Sequence, residues 1–501
     1  MLRSLSMVNH NYAILLAGGQ GSRFWPQSRT LEPKQFLSLH KNSSLFVQTI
    51  TRIRSLIPCS NIFVATSELY RNQIIELVEP FKIAENNLIF EPDGKNTAPS
   101  IAVTVRFIHN RDPQARICIL PCDHLIKNKS LFLKLLSDAL NLCRSNLVIF
   151  GIPPTRPATG YGYIKAKPLL LKDVSLSLSL PNASLASVFS LGLPSKKSSQ
   201  NNLIFLVEKF CEKPGLETAN KFLKNNNYFW NSGIFVGSSV AFLEEFKTSL
   251  PGLYKLIQKI NRPEDIKLAW KKIQPVSFDY GILEKTRNVM MLSAGGLGWS
   301  DLGSWQAWDE ILKKDSQGNI FKADVLNLES KNLTVVGSQR LIAAIGLEDL
   351  IVVDTPDALL ITRKDKTEDV KKIVDMLKAQ KRLEHYEHKT VKRPWGAYTV
   401  LELGDGFKVK LVEVKPGKAL SLQYHKKRSE HWVVVEGVAK IVKGKRSLLF
   451  KANESTYIPI GCAHRLINPL KDKTLKIIEV QAGKYLEEND IVRLKDDWGR
   501  S

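Results

Sequence analysis

The sequence predicts an α/β protein in which a large strand–helix domain is followed by a small β-rich module and a C-terminal β-barrel. Three observations carry this reading. Short apolar strands alternate with helix-spaced stretches from residue 12 to residue 120, the pattern of a parallel sheet covered on both faces. From about residue 319 the segments become short and β-rich, with Gly and Asn punctuation. After residue 391 they are almost wholly strands and turns, which suggests a barrel or jelly roll. At 501 residues the chain exceeds one ordinary core. The expected boundaries are 1–312, 313–388 and 389–501.

The elements follow in order. Residues 12–16 read as a first strand, 44–57 as a helix, 62–66 as a strand and 70–81 as a helix. Residues 88–91 are a third strand, 98–109 a helix and 117–120 a fourth strand. The Ser- and Leu-rich stretch 169–202 breaks the alternation and reads as an inserted loop or hairpin. Residues 365–384 read as one charged amphipathic helix linking the β-rich regions.

Composition narrows the function classes. Hydrophobic residues make up 44% and charged residues 24%, a globular balance. No apolar run is long enough to span a bilayer, and residues 1–11 lack a signal-peptide pattern, so a cytoplasmic protein without a membrane partner is expected. Six cysteines form no CxxC pair, which favours reduced thiols over a disulfide framework. The formal net charge is +23. Such an excess raises a nucleic-acid reading. The basic residues are nevertheless spread along the chain without a nucleic-acid-binding motif, so no specific nucleic-acid partner is expected. A homo-oligomer, a dimer, is the expected assembly, although composition does not carry it.

The strongest local signal is Leu16-Ala17-Gly18-Gly19-Gln20-Gly21-Ser22-Arg23-Phe24-Trp25-Pro26, directly after the first strand. Glycines let backbone approach a ligand without Cβ clashes. Their N–H groups can cradle phosphate oxygens. Arg23 adds a permanently charged fork, and Lys34 a second cation. The GxGxxG fingerprint with its acid on the second strand is absent, as is GxxxxGK[ST]. A purely structural turn does not explain Arg23, Lys34 and Trp25-Pro26 together.

These residues resemble the signature of bacterial mannose-1-phosphate guanylyltransferases, within the wider sugar nucleotidyltransferase family. Further stretches extend the resemblance along nearly the whole chain: Glu91-Pro92 with Lys95-Asn96-Thr97-Ala98-Pro99, Leu120-Pro121-Cys122-Asp123-His124, Thr159-Gly160-Tyr161-Gly162-Tyr163-Ile164, Phe210-Cys211-Glu212-Lys213-Pro214, Trp230-Asn231-Ser232-Gly233, and Gly298-Trp299-Ser300-Asp301-Leu302-Gly303-Ser304-Trp305. Phe24 stands where Leu is usual, Ala17 where many members have Ser, and the 169–202 segment is longer than the family norm.

The resemblance implies a Rossmann-like, GT-A-like nucleotidyltransferase domain followed by a β-helix-like module. It implies attack of the mannose 1-phosphate oxygen on the α-phosphorus of GTP, releasing pyrophosphate. Ala17, Gly18, Gly19, Gly21, Ser22 and Asn96 are then the nucleotide contacts, and Arg23, Lys34, Asp123 and Asp301 the catalytic set. Asp123 and Asp301 would share Mg²⁺ with phosphate oxygens, as hard carboxylate ligands suit. Gly160, Glu212, Lys213 and Asn231 would hold the sugar phosphate. Two rivals remain at this point: a nucleotidyltransferase for another base or sugar, and a protein with a dead catalytic core.

The C-terminal stretch resembles the cupin mannose-6-phosphate isomerase domain fused to many such enzymes. The resemblance rests on Arg393-Pro394-Trp395-Gly396, Leu420-Ser421-Leu422-Gln423-Tyr424-His425, Arg428-Ser429-Glu430-His431-Trp432, Tyr457-Ile458-Pro459, Ala463-His464-Arg465 and Glu479-Val480-Gln481. Gln423 and His425 alternate on one strand and so share a face. With Glu430 and His464 they make a mixed N/O set for Zn²⁺ or another divalent metal. His431 is the competing ligand, or a partner behind the ligands. Arg428 or Arg465 would hold the phosphate of mannose 6-phosphate or fructose 6-phosphate. A cupin that only aids assembly is the alternative.

Overall fold

The computed structural model describes residues 9–19, 21–38, 43–169, 204–337 and 340–497. The expected insertion at 169–202 lies outside them except for Leu169. The chain divides into two compact units. One holds residues 1–28, 32–316 and 363–371, the other 29–31, 317–362 and 372–501.

The first unit is built on strands β1 (Asn11–Leu16), β2 (Ile62–Ser67), β3 (Leu88–Glu91), β4 (Arg116–Pro121), β5 (Leu125–Ile126), β6 (Leu147–Ile152), β7 (Tyr163–Pro168), β8 (Ile204–Cys211), β9 (Tyr228–Ser238), β10 (Val289–Ser293) and β11 (Trp299–Ser300). Nine of these, among the described residues, form one sheet in the order β3-β2-β1-β4-β9-β6-β10-β8-β7. Alternate residues of β1 enter different cores: Ala13 and Leu15 one, Tyr12 and Ile14 the other. Burial on both faces explains why the strand reads as an unbroken apolar run.

The expectation of a parallel sheet holds only in part. The pairs β1–β2, β2–β3, β1–β4 and β6–β10 are parallel. β9 runs antiparallel between β4 and β6, and β7 and β8 add an antiparallel edge. An apolar run encodes burial rather than strand direction, so this mixture was not legible.

Helix ends follow local chemistry. Ser44 accepts from Val47 N and starts Leu45–Ile53. Asn128 caps Lys129–Leu142 through Leu131 N. The helix expected over 70–81 is α only at Arg71–Val78. Pro80 then lies in a 3-10 turn, where its missing N–H costs little. The helix expected over 365–384 is also shorter. A 3-10 segment, Lys364–Asp369, precedes α-helix Val370–Ala379. Lys381 at φ 54° ends it while Arg382 N donates to Leu377 O at 3.0 Å. The left-handed residue stops propagation even though the charged periodicity continues.

In the second unit, β12 (Ile320–Lys322), β14 (Thr334–Val336), β16 (Leu350–Asp354) and β17 (Leu359–Arg363) make one sheet, and β13 (Val325–Leu328) and β15 (Ile342–Ile345) another. Phe321, Val335 and Val352 stack in parallel register, the signature of successive β-helix coils.

The C-terminal strands are β18 (Thr390–Arg393), β19 (Gly396–Gly404), β20 (Phe407–Val414), β21 (Leu422–His425), β22 (Arg428–Glu436), β23 (Val438–Lys443), β24 (Arg446–Lys451), β25 (Ser455–Ile458), β26 (His464–Ile467), β27 (Leu475–Gly483) and β28 (Ile491–Lys495). They form sheets β18-β19-β20-β27-β22-β25 and β24-β23-β26-β21-β28. Val412, Val414, Trp432, Val434, Leu466, Leu475 and Ile477 fill the interior.

Candidate active sites

The first site grows from the carboxyl ends of β1 and β4, which are register neighbours at Leu16 and Pro121. Ligands bind at such strand ends in open α/β sheets. Ala17 continues the ladder, donating from N to Ala65 O (2.9 Å). Cys122 N donates to Leu16 O (3.0 Å). Gln35 Nε2 and Thr66 Oγ1 both donate to Ala17 O and fix the entry to the turn.

A Cβ at Gly18 or Gly19 would meet no protein atom within 4 Å, and both glycines are exposed. Local packing therefore does not demand them; they leave bare backbone facing open space. Gly21 is different. At φ 59° its Cβ would strike that of Lys34 at 2.5 Å. Ser22 and Arg23 follow in a 3-10 turn. Arg23 Nε pairs with Glu368 Oε2 at 3.0 Å on the surface. Exposed Asn96 accepts from Thr97 N and caps the helix Thr97–Arg111 from φ 68°.

Lys34 joins distant segments. Its buried Nζ pairs with Asp123 Oδ2 at 2.7 Å and donates to the carbonyls of Asp301 (2.6 Å) and Leu302 (3.2 Å). A two-residue ribbon makes this possible, since β11 pairs with β5 through Ser300 and Leu125. Burial would push the Asp123 carboxyl up, but Lys34 and His124 hold it below the usual range. Trp299 Nε1 donates to His124 Nδ1 at 3.3 Å. Burial pushes the His124 imidazole down, so it stays neutral near pH 7.

Asp301 Oδ1 accepts from Tyr161 Oη at 2.7 Å and from Gly303 N at 3.0 Å. The Tyr161 ring packs edge-on to Trp230 (5.0 Å between centroids) and Trp299 (5.5 Å). Tyr161 thus ties Asp301 to the next group of residues.

That group gathers Glu212, Lys213, Asn231 and Gly162. A Cβ at Gly162 would meet Glu212 Oε2 at 2.5 Å, so only glycine lets that carboxylate pass. Glu212 pairs with Lys213 Nζ at 2.6 Å. Asn231 N donates to Gly162 O at 2.8 Å. Asn231 Nδ2 donates to Asp279 Oδ1 at 2.8 Å. Burial and the Glu212 charge push Asp279 up to about 6. Gly160 sits in open surroundings two residues before Gly162. Asp279 and Tyr161 are absent from the sequence-based site; Tyr161 lay inside a quoted motif, while Asp279 carried no signal.

The second site lies among buried polar residues of the C-terminal barrel. Gln423 and His425 are buried on β21, Arg428 and Glu430 on β22, His464 on β26, and Glu479 and Gln481 on β27. His425 Nε2 lies 3.0 Å from Glu430 Oε1, and His464 Nε2 lies 3.6 Å from Glu430 Oε2. One ligand atom from each of these three residues falls within 4.8 Å of the others. His464 Nδ1 is held at 2.9 Å by Cys462 O, while its buried Nε2 has no hydrogen-bond partner. A carbonyl behind the ring and an orphaned nitrogen in front are what a metal-binding imidazole requires. The residues therefore fit a divalent metal. Burial works against the Glu430 charge, yet His425, His464 and Arg428 hold it well below the usual range.

Gln423 stands opposite His464 in register, and its Oε1 accepts from Ser421 Oγ at 2.8 Å. Two expectations are corrected by strand alternation. His431, next to Glu430, faces outward, is exposed and meets Ser455 Oγ at 3.3 Å, so it is not a competing ligand. Arg465, next to His464, turns away to Leu420 O and the Asp497 carboxylate. Arg428 is fully buried against Glu430 (3.3 Å) and Glu487 O (2.8 Å).

The fold defines a nucleotidyltransferase-type α/β domain and a C-terminal cupin whose buried His425, Glu430 and His464 could hold a metal. Residues 12–318 match the Nucleotidyl transferase family, 323–377 the MannoseP isomerase/GMP-like beta-helix domain, and 380–496 the Mannose-6-phosphate isomerase C-terminal family. The chain is 39% identical over 500 residues to Mannose-1-phosphate guanylyltransferase of Salmonella montevideo, covering 97% of this chain and 99% of that one. It is 38% identical over 499 residues to the Alginate biosynthesis protein AlgA of Pseudomonas aeruginosa, with 97% of each covered. A crystal structure titled mannose-1-phosphate geranyltransferase, from Thermus thermophilus, shares the fold at TM-score 0.61 and 24% identity, covering 74% of this chain and all of that one. The chain belongs to the family of bifunctional mannose-1-phosphate guanylyltransferases and mannose-6-phosphate isomerases.

Proposed function

We infer that this chain transfers GMP from GTP to mannose 1-phosphate, giving GDP-mannose and pyrophosphate, and that its cupin interconverts mannose 6-phosphate and fructose 6-phosphate. One observation carries the first activity. Lys34 gathers the Asp123 carboxylate and the Asp301 loop beside bare glycine backbone at the ends of β1 and β4. A GTP substrate supports action in the cytoplasm.

The transfer brings two anions together. An oxygen of mannose 1-phosphate attacks the α-phosphorus, a new P–O bond forms, and the bond to the β-phosphate oxygen breaks. No covalent nucleophile is required, so positioning and charge do the work. The N–H groups of Gly18, Gly19 and Ser22 offer donors to phosphate oxygens. Lys34 and Arg23 offset negative charge near the triphosphate. Glu212, Asn231 and Asp279 accept or donate to sugar hydroxyls, and Lys213 meets the sugar phosphate. Magnesium held by Asp123 and Asp301 would add Lewis-acid charge to the phosphate oxygens.

The cupin reading rests on the buried His425, Glu430 and His464 cluster. Zinc or a similar divalent ion held there with Gln423 would polarise the substrate carbonyl. Arg428 supplies a fixed cation beside the cluster for the anionic substrate.

A coupled assay of pyrophosphate release tests both readings. Turnover with mannose 1-phosphate should be fastest with GTP among the common nucleoside triphosphates. Asp123→Ala should lower it by at least about 10²-fold, the scale for losing a charge-stabilising group. His425→Ala should leave it unchanged and abolish fructose 6-phosphate formation. Intact turnover in Asp123→Ala would overturn the assignment of the transferase centre.

A further inference from the structure

Isomerising a 2-hydroxy aldehyde to a ketone requires a base that takes a proton from C2 and returns it to C1. The groups already assigned in the cupin do not supply one. His425, His464 and Glu430 face one another as a ligand set, and Arg428 is a permanent cation. A second polar group lies alongside, on the inward face of β27. Glu479 is 6% exposed and Gln481 1%. The side-chain amide of Gln481 donates both to Glu430 Oε1 (3.3 Å) and to the Glu479 carboxylate. One nitrogen therefore joins the ligand carboxylate to a carboxylate that is not part of the ligand cluster.

The surroundings of Glu479 suit proton exchange. Across the sheet, Lys410 stands opposite it in register on β20 and is equally buried. Lys410 Nζ is committed elsewhere: it donates to Glu488 Oε1 at 2.7 Å and lies 4.5 Å from the Tyr398 ring. The lysine charge reaches Glu479 through space, while burial and the Glu430 charge push the Glu479 carboxyl upward. Gln481 Oε1 and His425 Nδ1 are also buried without hydrogen-bond partners. Buried polar atoms without protein partners are ones a polar ligand or ion would satisfy.

We propose that Glu479 is the proton-transferring base of the isomerase site, held beside the ligand cluster by Gln481 and steadied by Lys410. The proposal rests on the isomerase reading above. In the open-chain aldose phosphate, the Glu479 carboxylate takes the C2 proton. The C–H electron pair forms the C1=C2 bond of an enediol as O1 gains a proton. The O2 proton then leaves, the C2=O2 bond forms, and C1 recovers the proton from the Glu479 carboxyl. The proton gained at O1 balances the one lost from O2, and no external oxidant or reductant enters.

The test uses the full-length, metal-loaded chain and its Glu479→Gln and Glu479→Asp variants. Fructose 6-phosphate formation, deuterium uptake from D₂O into recovered sugar phosphate, metal content and pyrophosphate release are measured in parallel. Glu479→Gln should lower isomerisation by about 10²–10⁴-fold and stop deuterium uptake, with metal content and pyrophosphate release at wild-type levels. Glu479→Asp, which keeps a carboxylate, should recover part of the rate and show a larger isotope effect with 2-deuterated mannose 6-phosphate. Glu479→Gln within tenfold of wild type would overturn the proposal. So would loss of bound metal along with activity, because Glu479 would then hold the site together rather than react. A wild-type chain that binds metal but does not isomerise would instead sink the isomerase reading beneath it.

Discussion

Lys34 makes three contacts that no short stretch of sequence could reveal. It reaches Asp123 Oδ2 and, 267 and 268 residues further along the chain, the carbonyls of Asp301 and Leu302. Tyr161 makes the complementary contact, donating to Asp301 Oδ1 at 2.7 Å. That bond and the one from Gly303 N fix which way the carboxylate proposed to hold magnesium turns. Removing a hydrogen bond to a charged group costs about 1.5–3 kcal/mol. Tyr161→Phe should therefore slow pyrophosphate release by roughly 10- to 100-fold at limiting magnesium. Part of the loss should be recovered at high magnesium, because added ion can reorient the carboxylate by mass action. Equal loss at every magnesium concentration would assign Tyr161 to sugar binding alone. Tyr161 was visible in the sequence only as part of a motif, whereas its partner was visible only as a second aspartate. Their meeting depends on the two-residue ribbon of β5 and β11, too short to leave a periodic signal.

β3 carries a different kind of tension at its carboxyl end. Glu91 is 6% exposed, and burial pushes its carboxyl up to about 7 despite a hydrogen bond with Ser100. The folded chain then holds a proton that the unfolded chain has already lost between the ordinary carboxyl range and about pH 7. Folding is favoured most below that range, and the advantage is lost as pH rises through about 7. Glu91→Gln removes the titration. Its melting temperature should exceed wild type at pH 8 by more than at pH 5, the difference in stability being up to about 3 kcal/mol. Parallel melting curves at both pH values would show that Glu91 is not the group responsible. The strand itself was legible, as were β1, β2 and β4, because each is a short apolar run bounded by turn residues. The direction of β9 was not legible, since side-chain pattern is the same whichever way a strand runs. The linker helix was overextended because charge periodicity persists past Lys381, where the backbone turns left-handed. In the barrel, strand alternation turns Arg465 away from His464 and His431 away from Glu430, a distinction the sequence reading did not draw. The inward polarity of Glu479 and Gln481 follows the same rule but had no obvious metal-ligand spacing to draw notice.

The chain as a whole joins two charge-handling devices of different hardness in different units. The carboxylates proposed for the transferase centre, Asp123 and Asp301, offer oxygen donors alone, and the Asp123 side chain is one-third exposed. Magnesium in such settings keeps several waters and exchanges readily. The cupin set mixes imidazole with carboxylate and is buried throughout, which favours a borderline ion held closely by its ligands. Extended dialysis against a chelator should strip both activities. Magnesium alone should then restore pyrophosphate release in full while fructose 6-phosphate formation stays absent until zinc or a comparable divalent ion is added. His425→Ala should abolish the second recovery without touching the first. If magnesium alone restores both activities in the wild-type chain, the nitrogen ligands are not selecting the ion. The cupin chemistry would then have to be carried by its oxygen donors, Glu430 and Gln423.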